Sequence, residues 1–304
     1  MNPQVTRPGG VGRLGAQTVS RIGYGAMQLA RLAEDPDAAR AVVRRAVELG
    51  VDHIDTAHFY GSGFVNGILG TTLTADDDVV VVTKVGAERD PDGGPIPLRL
   101  AQRPEQLRAS VEANLRSLGR EQLPVVNLRR ADVGPGLRAA GDQVVDLDDQ
   151  LAEMVSLRDE GLIGAIGLSA VSLEAVQRAL PAGIVCVQNA YSLVSRGDEA
   201  LLQLCGQEGI AWVPFYPLGG AWPGLPKVVD EPAVVRVAQR LDRTPAQIGQ
   251  AWLLAHAPHA LLIPGTAAVE HLEANLAVGD VVLDAEAMTE LGTVPSREGN
   301  ITLA

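Results

Sequence analysis

From Ile22 almost to the end of the chain, short β-branched runs alternate with longer stretches of helical period, and this alternation restricts the fold more than any other feature. Short apolar runs bounded by turn residues are strands buried on both faces. Strands separated each time by a helical segment pair in parallel, because a parallel neighbour can be reached only through a crossover. The candidate strands are 22–26, 53–56, 79–83, 125–129, 165–169, 184–188, 211–215 and 261–264. The amphipathic segments between them include 38–49, 104–118, 150–159 and 246–257. Pro104 and Pro245 suit a first helical turn, Thr244 an N-cap and Gly50 a C′ position. About eight βα units close most simply into a (β/α)₈ TIM barrel, and 11–14 and 18–21, flanking Gly15-Ala16-Gln17, read as an N-terminal β-hairpin closing its bottom. No linker or composition shift divides the chain, so residues 1–304 are expected to form one barrel domain.

Composition removes several function classes. With 37 acidic against 25 basic residues the net charge is −12, which repels a phosphate backbone or an anionic membrane surface. Neither nucleic acid nor membrane is an expected partner. The start of the chain has no apolar signal core, and no apolar run is long enough to span a bilayer. Cys186 and Cys205 belong to no metal-like or redox cluster and read as small buried hydrophobes, with no metal site implied. These features suit a soluble cytoplasmic protein, a monomer or weak homo-oligomer.

In a barrel the loops after the strands' C-terminal ends build the active site. The second candidate strand runs into Asp55-Thr56-Ala57-His58-Phe59-Tyr60-Gly61, and the third ends at Thr83-Lys84. A carboxylate, a phenol and an ammonium therefore emerge on one face from neighbouring strands. A lysine beside a tyrosine favours the phenolate and makes the phenol a better acid, while a carboxylate keeps the lysine charged and oriented. Taken singly, such residues are more often solvated or packed; together they read as a proton donor with its tuners.

HIDTAHFYG followed by VTK resembles the aldo-keto reductases, and the likeness runs through nearly the whole chain. RIGYGAMQLA, VTKVGAERD, VVNLRRAD, VCVQNAYS, VPFYPLGG and LLIPGTAAVEHLEAN are similar in particular to the bacterial pyridoxal reductase-like branch. The resemblance implies hydride transfer from NADPH to an aldehyde or ketone of a small molecule, with Tyr60 as general acid and Lys84 and Asp55 as its tuners. It implies cofactor contacts at Gly25, Ala26, Met27 and Asp55. Ser169 and Gln188 would hold the carboxamide, and Phe215 would stack on the nicotinamide. The pyrophosphate would follow Pro217, Leu218, Gly219 and Gly220, and the far end of the cofactor Pro264, Gly265, Thr266, His271 and Asn275. Tyr24, Met27, His58, Phe59 and Trp222 are candidates for a substrate pocket, and Trp252 for the core. The chain's end at Ala304 leaves little tail to cover the barrel mouth, which favours an open pocket.

Three positions depart from the family pattern. Arg129 stands where most members carry a histidine, and can polarise a substrate oxygen, act on Tyr60, bind an anionic substituent, or pair with Asp55. Ala170 stands where an asparagine often follows the carboxamide-binding serine. No arginine lies in 266–275 to meet a 2′-phosphate, so His271 or a backbone nest must serve; NADPH is expected and NADH not excluded. Other readings of the residues are a lyase or aldolase forming a Schiff base on Lys84, a nicotinamide-binding sensor with little turnover, and the same site reducing a C=C bond or a sugar.

Overall fold

The computed structural model describes residues 7–93, 97–133, 137–220 and 225–297. β1 (Val11–Leu14) and β2 (Gln17–Ser20) form an antiparallel hairpin over the two-residue turn Gly15-Ala16. Gly15 sits at φ +60° and a Cβ there would lie 2.9 Å from Val185, so this turn requires glycine. Leu14 and Val19 turn inward onto Val82, Val125, Cys186, Ala211, Val213 and Leu261. The hairpin therefore closes the N-terminal end of the sheet, as expected, with its second strand one residue earlier.

The parallel strands are β3 (Tyr24–Gly25), β4 (His53–Asp55), β5 (Val80–Val85), then, after the antiparallel pair β6 (Ala87–Arg89) and β7 (Leu98–Leu100), β8 (Leu123–Arg129), β9 (Ile163–Ser169), β10 (Ile184–Gln188) and β11 (Ala211–Trp212). They form one seven-stranded sheet in the order β11-β10-β9-β8-β5-β4-β3, with every neighbour parallel. The expected last strand, 261–264, is an extended segment rather than a continuous ladder. It bridges both edges of the sheet, Ala260 to Trp212 on one side and Leu262 and Gly265 to Ile22 and Gly25 on the other. The Gly23 amide donates to Leu262 O and the Leu262 amide to Arg21 O, each at 2.8 Å. The result is a TIM-barrel-like α/β fold.

Helices α1 (Pro36–Glu48), α2 (Phe64–Thr72), α3 (Pro104–Leu118), α4 (Leu147–Asp159), α5 (Leu173–Ala179), α6 (Glu199–Gln207), α7 (Pro232–Arg240), α8 (Pro245–His256), α9 (Val269–Leu276) and α10 (Ala285–Gly292) cover the outside. Their ends obey local chemistry. Asp35 and Thr244 cap α1 and α8 through their side chains, Pro36, Pro104 and Pro245 occupy first turns, and Gly50 follows α1 at φ +87°. The period-two alternation of each strand divides the core. Ile54, Val81, Leu128, Ile166 and Val187 pack outward against Val43, Val111, Met154 and Val176 of the helices. Their neighbours point inward, and there the side chains at the C-terminal strand ends become polar. Both cysteines are free and buried. Among the described residues no helix is long and apolar enough to cross a membrane, and no group of acidic, histidine and cysteine side chains is arranged to hold a metal ion.

Candidate active site

Five strands adjacent in the sheet carry polar residues at or one residue before their C-terminal ends: Asp55 on β4, Lys84 on β5, Arg129 on β8, Ser169 on β9 and Gln188 on β10. Register aligns Arg129 with Ser169 and Ser169 with Gln188. Asp55, Lys84, Ser169 and Gln188 are nearly inaccessible to solvent. Lys84 Nζ donates to Asp55 Oδ1 at 2.5 Å, to Thr56 O at 3.0 Å and to Tyr60 Oη at 3.2 Å, which commits its three protons. Gln188 Nε2 donates to the other carboxylate oxygen, Asp55 Oδ2, at 2.9 Å.

Tyr60 owes its position to a short turn. Its amide donates to Ala57 O, and Gly61, Ser62 and Gly63 that follow all adopt left-handed φ values between 54° and 88° before α2 begins. Ser62 in that run is a strained non-glycine residue, and such strain gathers at functional sites. The Phe59 ring stands edge-on to Tyr60 at 5.1 Å. Behind the site, the outward faces of the same strands are fixed by buried amides. Thr56 donates to Asn66 at 2.8 Å, Asn66 to Asn114 at 2.9 Å, and Thr83 to Asn114 at 2.6 Å. The residues beside Asp55 and Lys84 are thus tied to α2 and α3.

Burial pushes the Tyr60 phenol above its ordinary range; the Lys84 charge pulls it down, Asp55 pushes it up, and the Lys84 hydrogen bond and the Arg129 charge pull it down, with burial winning. Lys84 thus makes the phenol more acidic than burial alone would leave it, without returning it to its ordinary range. Burial by itself lowers Lys84, but Asp55 and Tyr60 outweigh it and hold the ammonium above its usual value. The resting pair is therefore a neutral phenol beside a charged lysine.

Arg129 is partly buried, and among the described residues it forms no ion pair; its Nε is buried without an acceptor. Pairing with Asp55, one of the expectations, is not what occurs: the Asp55 carboxylate meets Lys84 and Gln188 instead. Ser169 Oγ is likewise buried without a partner.

The other expected residues have these surroundings in the structure. Tyr24 does not line a pocket: it is fully buried, and its hydroxyl donates to Thr266 O at 2.6 Å, tying β3 to the 264–266 turn. His58 turns to Gly63 and not to Lys84, and burial and the Arg116 charge of α3 depress its pKa. Trp222 lies outside the described residues. Met27 is exposed and Ala26 buried in the turn after β3. Gly25 and Pro264 belong to the barrel seam: the Gly25 amide donates to Pro264 O, and a Cβ on Gly25 would meet Ile263 O at 2.5 Å. Gly219 and Gly220 are explained by their own loop, where a Cβ would strike Pro226 O and Leu225 at 2.3 and 1.8 Å. Leu218 lies against Gly249 of α8, and Pro217 is partly buried beside Phe215 and Tyr216. The Thr266 hydroxyl accepts from the Ala268 amide at 3.0 Å, Asn275 Oδ1 accepts from Gln250, and His271 is exposed on α9. Gly265 is exposed at the mouth of this turn.

One positioning residue escaped the sequence. Gln102, just before α3, is 2% exposed and donates from Nε2 to Gly86 O at 2.5 Å and to Arg129 O at 2.7 Å. It joins the exits of β5 and β8, and Gln150 in turn holds it. A glutamine before a helix carries no pattern, and β6 and β7, which bring Gly86 there, were also unforeseen.

Residues 21–294 match the aldo/keto reductase family. The chain belongs to that family. Its relatives within this family of oxidoreductases include pyridoxine 4-dehydrogenase of Escherichia coli, 40% identical over 94% of this chain and 98% of that protein. An uncharacterised oxidoreductase of Schizosaccharomyces pombe is 32% identical over 93% of this chain and 89% of its own length. Among solved structures, an aldo-keto reductase from Klebsiella pneumoniae in complex with NADPH superposes with a TM-score of 0.77 at 26% identity, covering 95% of this chain and 96% of that one.

Proposed function

We propose that this aldo/keto reductase reduces the aldehyde or ketone group of a small molecule with NADPH, using Tyr60 as the proton donor. The observation that carries the reading is the buried Lys84, which contacts Asp55 and Tyr60 at once. The whole chain is read as one (β/α)₈ unit, with the segment at 261–264 as its eighth strand.

The cofactor's fit rests on the strand ends. Ser169 Oγ is a buried hydroxyl without a protein partner. Gln188 retains its oxygen for a ligand, its nitrogen being used on Asp55. Ser169 and Gln188 would hold the carboxamide, Phe215 would lie against the nicotinamide, the 217–220 loop would follow the pyrophosphate, and Gly265, His271 and Asn275 would meet the adenosine end. When bound, NADPH supplies the hydride that the carbonyl carbon accepts. Tyr60 Oη gives its proton to the carbonyl oxygen, so an alcohol forms and a phenolate remains. Lys84 and Arg129 then stabilise that phenolate, and solvent reprotonates it. Two cations against one carboxylate leave positive charge in the site, which favours the negative charge that develops on oxygen.

The Schiff-base alternative is disfavoured: a nucleophilic lysine needs a free lone pair, whereas Lys84 is charged with all three protons committed. NADPH oxidation by pyridoxal and by benzaldehyde tests the reading. Tyr60→Phe is expected to lower kcat by about 10²–10⁴-fold; an undiminished rate would remove Tyr60 as the donor.

A further inference from the structure

Arg129 is the charged group of the site for which the described residues supply no counter-charge. Asp55 is committed on both oxygens. Among the described residues Arg129 has no ion pair, and its Nε is buried without an acceptor. Its backbone is nevertheless fixed, since Gln102 holds its carbonyl and the β8–β9 register sets it beside Ser169. Its charge is also close enough to act on Tyr60. A guanidinium partly removed from water and left unpaired is unfavourable, and an anion that enters the site relieves it.

Resting on the reductase reading above, we infer that Arg129 selects carbonyl substrates bearing an anionic oxygen beside the reacting carbonyl, the type being a 2-hydroxyaryl aldehyde as its phenolate. The forked guanidinium matches two oxygens lying side by side in one plane. An aldehyde with an ortho phenolate presents such a pair. The carbonyl oxygen has two lone pairs, one for Tyr60 and one for Arg129, and the phenolate takes the second arm of the fork. An imidazole at this position has a single N–H to direct at the site and cannot span both oxygens. The aldehyde related to pyridoxine at C4 carries a ring hydroxyl on the adjacent carbon and belongs to this class. A 2-oxo acid also sets an oxyanion beside a carbonyl, without the aromatic plane.

The test is kcat/KM for NADPH-dependent reduction of benzaldehyde, 2-, 3- and 4-hydroxybenzaldehyde, 2-methoxybenzaldehyde and phenylglyoxylate, across the pH range in which the phenols ionise. The wild-type protein is compared with Arg129→Gln and Arg129→Lys. The 2-hydroxy isomer is expected to exceed the 4-hydroxy isomer by about tenfold or more. That ratio should rise as the phenol ionises, vanish on methylation, collapse in Arg129→Gln and survive in part in Arg129→Lys. Equal values for the isomers in the wild type, or a ratio that persists in Arg129→Gln, overturns the inference. So does a preference for phenylglyoxylate without one for 2-hydroxybenzaldehyde. No turnover of any aldehyde, benzaldehyde included, overturns the reductase reading itself and this inference with it.

Discussion

Tyr60 and Lys84 sit 3.2 Å apart, yet burial outweighs the lysine and holds the phenol above its ordinary pKa of about 10. The proton is therefore present throughout the neutral range, and the cations act mainly on the phenolate left after transfer. The sign follows directly. Reduction needs the protonated form, so kcat/KM for an aldehyde should stay level from about pH 6 to 9 and fall only as the pH rises past about 10. A descending limb centred near neutral pH that disappears in Tyr60→Phe would contradict this ordering of effects. The same residue scale separates His58 from its neighbours. It lies between Asp55 and Tyr60 in sequence, but the backbone turns it toward Gly63 and the field of Arg116.

At the scale of elements, buried side-chain amides join the strands that carry the chemistry to their surroundings: Asn66 and Asn114 to the helices, Gln102 across the exits of β5 and β8. Their partners are fixed donors and acceptors in a dry interior, where an unmet polar group is costly. At the opposite end of the sheet, Asp52 ties the hairpin down by accepting from the Ser20 amide at 2.7 Å and from Arg7 at 2.9 Å. Burial raises this carboxyl, but the neighbouring His53, 3.7 Å away, and the hydrogen bonds from Ser20 and Arg7 outweigh it and depress it from 3.8 to about 2. A depressed carboxyl stabilises the fold above its unfolded value, and the contribution is lost as pH falls through the folded one. Asp52→Asn should therefore cost about 2 kcal/mol in urea unfolding near pH 7, with the difference shrinking as pH drops from about 4 toward 2. A difference independent of pH would show that the carboxylate charge is not what holds the hairpin.

For the whole molecule, the seam where the last extended segment meets β3 determines whether the sheet closes. Gly25 permits it: an added Cβ would stand 2.5 Å from Ile263 O, a backbone atom with no side chain to swing aside. Gly25→Ala is expected to lower stability by about 1–3 kcal/mol through overpacking, and to raise hydrogen exchange at the Gly23 and Leu262 amides. Unchanged exchange there would mean that the seam yields without opening. Arg21 supports the same closure by donating to Leu254 O and Ala257 O, each at 2.8 Å, at the end of α8.

Asp55, Tyr60 and Lys84 were legible in the sequence because the βα alternation sends all strand ends to one face, so neighbouring strand-end residues must meet. Helix limits at Pro104 and Pro245 were legible as well, because capping and proline preferences act within a turn. Tyr24 and His58 were assigned from position along the chain, and only packing could show that Tyr24 is fully buried against Thr266 and that His58 lies against Gly63. The extended segment at 261–264 was visible as an apolar run, but its bridging of both sheet edges depends on Trp212 and on Ile22 and Gly25, the last two more than two hundred positions away. The sequence by itself determined the parallel α/β architecture and the set of ionisable groups at one mouth, since both follow from short-range periodicity. Tertiary structure alone decided that Asp55 also binds Gln188 and that Arg129 meets no carboxylate among the described residues. Which carboxylate a guanidinium meets depends on side-chain directions across non-consecutive strands, and no local pattern in the chain encodes them.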